Sequence, residues 1–214
     1  LQLDLEPPDA FACDNRRFLQ VEVGAGARVA LISGPDREVA ALTGAMIAPP
    51  ALPPSERAFE LEEITPASLP DAKLEEIAAV ILADCGPLSA AGWASLAHYL
   101  GSGGAVLMLP GPNSTGDEGG ADLLPAAIQA AAECEEPMYL AAPDLTHPYL
   151  APFADPSVDS LSSRAIYRRL LLKAPRADSR VLCTFSDGAP ALLERSVGRG
   201  RAILFAFSPA RDWS

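Results

Sequence analysis

The sequence predicts a three-layer α/β sandwich around a mostly parallel sheet, with antiparallel strands at its C-terminal edge and a small β element in front. Three observations predict it. Short apolar runs at residues 28–32, 78–83 and 105–109 alternate with stretches of helical periodicity, the pattern of βαβ units. The run 78–83 is apolar throughout, as a strand covered on both faces requires. Three further runs, 180–185, 191–197 and 201–207, are joined by Ser186-Asp187-Gly188 and Gly198-Arg199-Gly200, glycine turns that favour an antiparallel meander.

Residues 1–5 and 19–23 alternate apolar and polar side chains around Pro7-Pro8-Asp9 and the polar Asp14-Asn15-Arg16-Arg17. They predict two strands. A lone hairpin is marginal in water, so residues 1–27 are assigned to a β element left from an upstream β domain, and residues 28–214 to the α/β domain. After the strand 28–32, residues 37–47 show helical spacing and are stopped by Pro49, Pro50, Pro53 and Pro54. Residues 58–64 alternate as a second strand, and 69–76 form a connector to the third, 78–83. Ser89 is the expected N-cap of a helix over 90–100, with Trp93, Leu96, Ala97 and Leu100 as its apolar stripe and Gly101 as its stop. Residues 110–120, rich in Pro, Gly, Asn, Ser and Asp, read as a surface loop following the strand 105–109. A further helix is expected over 123–134, and 135–175 reads as irregular apart from an extended stretch at 166–172.

Composition narrows the function classes. The 214 residues, 49% hydrophobic and 21% charged, suffice for one large domain with a sizeable core. A formal net charge of -12 with scattered Lys and Arg argues against nucleic acid as a partner. The four cysteines, at 13, 85, 134 and 183, contain no CxxC pair, and with only two histidines no metal site is expected. Buried free thiols are the default reading of these cysteines. No apolar stretch approaches the roughly 18 to 20 residues that cross a bilayer. A start at Leu1 and a stop at Trp213-Ser214, directly after an apolar run, suggest a piece excised from a larger protein.

The succession strand, Ala83-Asp84-Cys85-Gly86-Pro87-Leu88-Ser89, helix, residues 100–111, and then residues 185–214 resembles the amidotransferase-like domain of bacterial BatA-type proteins. Asp14-Asn15-Arg16 and Thr146-His147-Pro148 fit the same pattern. The resemblance covers most of the chain and implies a flavodoxin-like fold of the class I glutamine-amidotransferase-like type. It also implies a parent that combines membrane helices, a von Willebrand factor A module and this domain, with the soluble region on the extracytoplasmic side of the bacterial inner membrane. Its implied partners are proteins or neighbouring domains of the same chain.

Active members of that class place a cysteine on the sharp turn after the strand that here is 105–109, where backbone N–H groups hold an oxyanion and a downstream His-x-Glu activates the thiol. This chain has Pro110-Gly111-Pro112 at the turn and Ser208-Pro209-Ala210 near the last strand, where family enzymes carry His-Pro-Glu. No catalytic residues and no cofactor are therefore expected. Ser33-Gly34 lacks a P-loop or GxGxxG pattern, and the Gly101-Ser102-Gly103-Gly104 run precedes a strand rather than a helix, so neither signals a nucleotide. His98, within an amphipathic helix, reads as flanking the core. In open α/β sheets ligands bind outside the carboxyl ends of the strands. The candidate rim is Ser33, Gly34, Asp84, Cys85, Pro110, Gly111, Asn113 and His147. Two readings follow: a non-catalytic binding or interaction module, or a hydrolase or transferase with an atypical site around Asp84, Cys85 and His147.

Overall fold

The structure, a computed structural model, describes residues 2–4, 16–18, 26–35, 37–114, 120, 122–158 and 160–214. At the N-terminus β1 (Gln2–Asp4) pairs antiparallel with β2 (Arg16–Phe18), in a register that sets Asp4 opposite Arg16. The second strand thus lies earlier than expected, within the segment read as a polar connector; residues 19–23 lie outside the described residues.

The main sheet is built from β3 (Ala27–Ser33), β4 (Phe59–Ile64), β5 (Ala79–Ala83) and β6 (Ala105–Leu109). A separate ribbon follows, of which β7 (Ile128–Met138) is the first strand, and β8 (Leu140–Ala141) returns to the main sheet. The ribbon's second strand is β9 (Ile166–Leu172), after which β10 (Ser179–Phe185), β11 (Pro190–Val197) and β12 (Gly200–Phe205) complete the sheet. Its order is β4-β3-β5-β6-β12-β11-β10-β8. The first five strands in that order run parallel, and the last three add antiparallel pairings. This is the mostly parallel sheet with antiparallel edge strands that the glycine turns predicted.

Two helices fill the crossovers, α1 (Glu38–Ile47) between β3 and β4 and α2 (Ala90–Ser102) between β5 and β6. Because the two crossovers step in opposite directions along the sheet, the right-handed rule puts the helices on opposite faces. The central strands carry the expected consequence: Ala30, Ile32, Val80, Leu82 and Ala83 are all at most 1% exposed. The Ser89 hydroxyl accepts the Gly92 N–H at 3.1 Å, as an N-cap should. The helix runs past Gly101 and stops at Gly103, which adopts the left-handed conformation (φ 115°) and returns its N–H to Leu100 and Tyr99.

The helix expected over 123–134 is absent. Residues 128–138 form β7 instead, paired antiparallel with β9. Alanine and glutamate favour helix by only tenths of a kcal/mol per residue, which a partner strand easily outweighs. The overlooked signal is a period of two: Ala132 and Cys134 are half-buried while Glu133 and Glu135 are exposed. The ribbon joins the core through Ile128, Ile166 and Leu170.

Replacing Ser89 with alanine removes the cap of α2 and is expected to lower unfolding free energy by about 1 kcal/mol. Urea titration of the two proteins measures this; a midpoint unchanged within error would show that the hydroxyl does not hold the helix start.

Candidate functional site

At the carboxyl ends of β3, β5 and β6 the structure gathers seven of the eight predicted rim residues. β3 and β5 lie side by side, with the chain leaving to opposite sides, so this boundary is the switch point of the parallel half. Ser33 stands opposite Ala83 in the β3–β5 register, which brings the next residues, Gly34 and Asp84, together. Asp84 is the centre of the arrangement. Its side chain is 1% exposed, and its backbone has a positive φ of 46°, a conformation that aspartate tolerates better than most residues. Its N–H continues the ladder to Leu109 O at 2.9 Å.

The carboxylate reaches across to the turn after β6. It accepts the Asn113 backbone N–H and the Asn113 Nδ2, each at 2.8 Å, and the Ser114 hydroxyl at 3.4 Å. Ser114 Oγ in turn accepts the Gly111 N–H at 3.0 Å, and Ser114 N–H donates to Gly111 O. These contacts demand close approach. A Cβ on Gly111 would lie 2.3 Å from Asp84 Cγ, and one on Gly34 would lie 2.7 Å from Asp84 O. Along 110–114, then, the two prolines lack an N–H and every remaining backbone donor is engaged within the turn or by Asp84. Cys85 is buried beside it, its thiol directed at Gly86 O at 3.4 Å.

His147 is not part of this rim. It lies over β11, where Nε2 is 3.0 Å from Glu194 Oε2, with both side chains buried. Glu194 stands opposite Ile203, which pairs with Leu107, placing it three strand spacings, roughly 14 Å, from β5. Asp84, Cys85 and His147 therefore do not converge, and the atypical constellation expected as an alternative is not assembled. The reason is topological: the chain between β7 and β10 covers the antiparallel half of the sheet, not the switch point. Arg201 Nη1 donates to the other oxygen of Glu194 at 2.8 Å, and that carboxylate raises the Arg201 pKa. The Tyr149 ring meets the His147 ring edge-on at 4.6 Å. Glu194, Arg201 and Tyr149 were not anticipated; the available signal was a lone carboxylate inside the apolar run of β11.

The segment after β12 closes the neighbourhood of the rim. Ser208, Ala210 and Trp213 are fully buried, Ser208 Oγ accepts the Ala210 N–H, and the Arg211 N–H donates to Glu38 Oε1 at the start of α1. Of the cysteines, Cys13 lies outside the described residues, Cys85 and Cys183 are buried, and Cys134 is half-buried. Burial pushes the Cys183 and Cys134 thiols up from their ordinary pKa. Among the described residues no cluster of metal-ligating side chains occurs, and no helix is long and apolar enough to cross a membrane.

Sheet order, edge meander and rim together define a class I glutamine-amidotransferase-like α/β fold of flavodoxin-like type. Comparison with solved structures supports that fold. The chain is similar to a cytoplasmic protein of Salmonella typhimurium LT2, with 16% identity, a TM-score of 0.67, and coverage of 87% of this chain and 90% of that one. It is similar to a protein described as ThuA-like from Bacteroides uniformis, with 13% identity, a TM-score of 0.62, and coverage of 88% and 84%. A β-galactosidase from Bacillus circulans sp. alkalophilus matches at 14% identity and a TM-score of 0.56, over 87% of this chain but 29% of that one. No protein-family model and no curated protein sequence matches the chain.

Asp84→Ala leaves the Asn113 N–H and side-chain amide without their acceptor, and is expected to cost about 2 kcal/mol of stability. Denaturant unfolding reads the loss. A neutral result would mean that the turn does not depend on the carboxylate.

His147→Ala removes one partner of a buried carboxylate and is also expected to cost about 2 kcal/mol, with His147→Gln retaining part of it through its amide donor. Equal losses in the two variants would show that the hydrogen bond to Glu194 contributes nothing.

Proposed function

We propose that this chain is a non-catalytic, amidotransferase-like binding or interaction module of a larger, membrane-anchored bacterial protein. The observation that carries the reading is the state of the turn after β6. An acyl-transfer site needs free backbone donors and a nucleophile there. Here prolines occupy two positions, Ser114 and Asp84 take the N–H groups of Gly111 and Asn113, and no thiol is present. The buried carboxylate in the rim serves that turn. His147, the one candidate base, is held by Glu194 away from the rim.

The membrane-anchored parent, with its von Willebrand factor A module and its extracytoplasmic placement, rests on the resemblance to BatA-type proteins. The use of a similar fold as 29% of a larger β-galactosidase chain supports its capacity to serve as a module. Any membrane anchor would belong to another part of the parent. Protease accessibility of the tagged parent chain in spheroplasts tests the placement: protection of this domain would count against it.

The non-catalytic reading is tested with L-glutamine and with the glutamine analogue 6-diazo-5-oxo-L-norleucine. No ammonia release and an unchanged intact mass are expected. An adduct on Cys85, the only cysteine in the rim, would overturn the reading.

A further inference from the structure

Between β7 and β9 the chain makes an excursion, 139–163, whose middle part is held to the rest of the molecule by few contacts. Of residues 143–158 only His147 and Leu150 are buried, whereas the shorter α2 buries Gly92, Trp93, Leu96, Tyr99 and Leu100. Leu150 joins Leu182, Cys183 and Leu192 in a small cluster separate from the main core. Among the described residues one backbone hydrogen bond, Asp144 N–H to Leu182 O at 2.8 Å, ties this segment to the sheet, and the others that it makes close turns within it. Sparse apolar and backbone contacts are the marks of a unit that opens while its surroundings stay folded.

The polar ties of the segment can part without leaving a bare charge. His147 Nε2 meets Glu194 Oε2 at 3.0 Å, while Arg201 Nη1 donates to the other carboxylate oxygen at 2.8 Å from β12, the strand next to that of Glu194. When His147 leaves, Glu194 keeps its cation and gains water. The usual large cost of breaking a buried pair comes from a charge left buried and alone, and that cost does not arise here. Arg180, which pairs with Asp144, has a side chain 56% exposed and hydrates in the same way. At the start of the segment stands Ala142, with a positive φ of 46°, a left-handed conformation that costs an alanine energy.

We propose that residues 143–158 are a latched strap, which swings off the face of β10 to β12 about Ala142 while the rest of the domain stays folded, and so uncovers the apolar strip of Leu182, Cys183 and Leu192. The latch is the contact of His147 with Glu194, backed by Asp144 on Arg180 and by Leu150 in the small cluster. Swinging away lets Ala142 leave its strained conformation, so the hinge is loaded toward opening. The antiparallel half thus has two surfaces, a closed one and an open one that differ in exposed apolar side chains. The inference goes beyond the interaction-module reading and does not depend on it.

The test labels the folded protein with N-ethylmaleimide and follows Cys183, which shares the small cluster with Leu150, by peptide mass spectrometry. The Cys183 rate relative to that of the unfolded chain gives an opening equilibrium, and urea titration gives the global one. Opening at Cys183 is expected to be at least about a hundredfold more frequent than global unfolding and nearly insensitive to low urea, because little surface is exposed. Ser89→Ala, which weakens α2 outside the strap, should make global unfolding about fivefold more frequent and leave the Cys183 rate unchanged, since both strap positions lose that cap alike. His147→Ala should speed Cys183 about thirtyfold. Ala142→Gly should slow it, because glycine takes that φ without strain. Chymotrypsin cleavage at Tyr149 or Phe153 reads the same opening without a thiol and should rank the variants in the same order. Circular dichroism shows whether each variant folds; if His147→Ala does not, Ser89→Ala and Ala142→Gly decide. A Cys183 rate that climbs with urea as steeply as global unfolding, or that Ser89→Ala raises fivefold, makes the strap part of one cooperative unit and overturns the proposal. Rates that a folded His147→Ala leaves unchanged overturn the latch, and rates that Ala142→Gly raises overturn the hinge.

Discussion

A carboxylate taken out of water must be given donors, and Asp84 has been taken almost wholly out of water. Asn113 and Ser114, across the strand boundary in the turn after β6, supply it with three of these donors. That requirement organises the whole carboxyl rim. It fixes the conformation of the turn, excludes any side chain at Gly111 and Gly34, and sets the path by which the chain leaves β5 through Cys85 and Gly86 toward the cap of α2. The backbone donors of the turn are thereby committed to structure. A rim of this geometry holds strands together at the point where related architectures leave an opening for a ligand.

The antiparallel half of the sheet poses a different problem. The parallel strands are covered by helices and bury continuous apolar runs, but one face of β10, β11 and β12 is covered by the 139–163 excursion, which has no long helix. Its apolar cluster is small. A buried, hydrogen-bonded pair such as His147 and Glu194 adds little net stability over an apolar substitute, because desolvation offsets most of the attraction. It does specify position: with Arg201 on the second carboxylate oxygen, Glu194 permits one placement of the excursion over β11. The excursion is thus located by polar contacts and by buried Leu150, while Tyr139, Leu145, Tyr149 and Phe153 remain exposed.

These two halves explain what the sequence disclosed. Strands buried on both faces must be apolar at consecutive positions, so β3, β5 and β6 were legible, and the glycine turns made β10 to β12 legible as a meander. The rim could be listed because strand ends share one edge in any parallel sheet. Its internal logic could not, since the Asp84 and Asn113 contact spans 29 positions and depends on which strands are neighbours. His147 was misplaced for the same reason: its partner is 47 positions away on a strand whose place in the sheet order no local pattern reports. In β7 the residues favour a helix and only the partner strand decides otherwise. Gly101 and Gly103 are equivalent as letters, and the helix end is settled by which one the last turn's carbonyls can reach.

Fold likeness at 13% to 16% identity fixes an architecture and leaves chemistry open, because activity resides in how particular donors and acceptors are left available. In this architecture the turn after β6 and the end of β5 meet whatever their sequence. With a thiol and unengaged N–H groups, such a meeting can bind an oxyanion. With Pro110 and Pro112 flanking Gly111, and with an aspartate opposite to take the Asn113 N–H, the backbone donors of residues 110–114 are engaged within the same meeting. The engaged donors of the turn after β6 and the exposed aromatic side chains Tyr139, Tyr149 and Phe153 of the excursion are separate features of separate halves of the sheet.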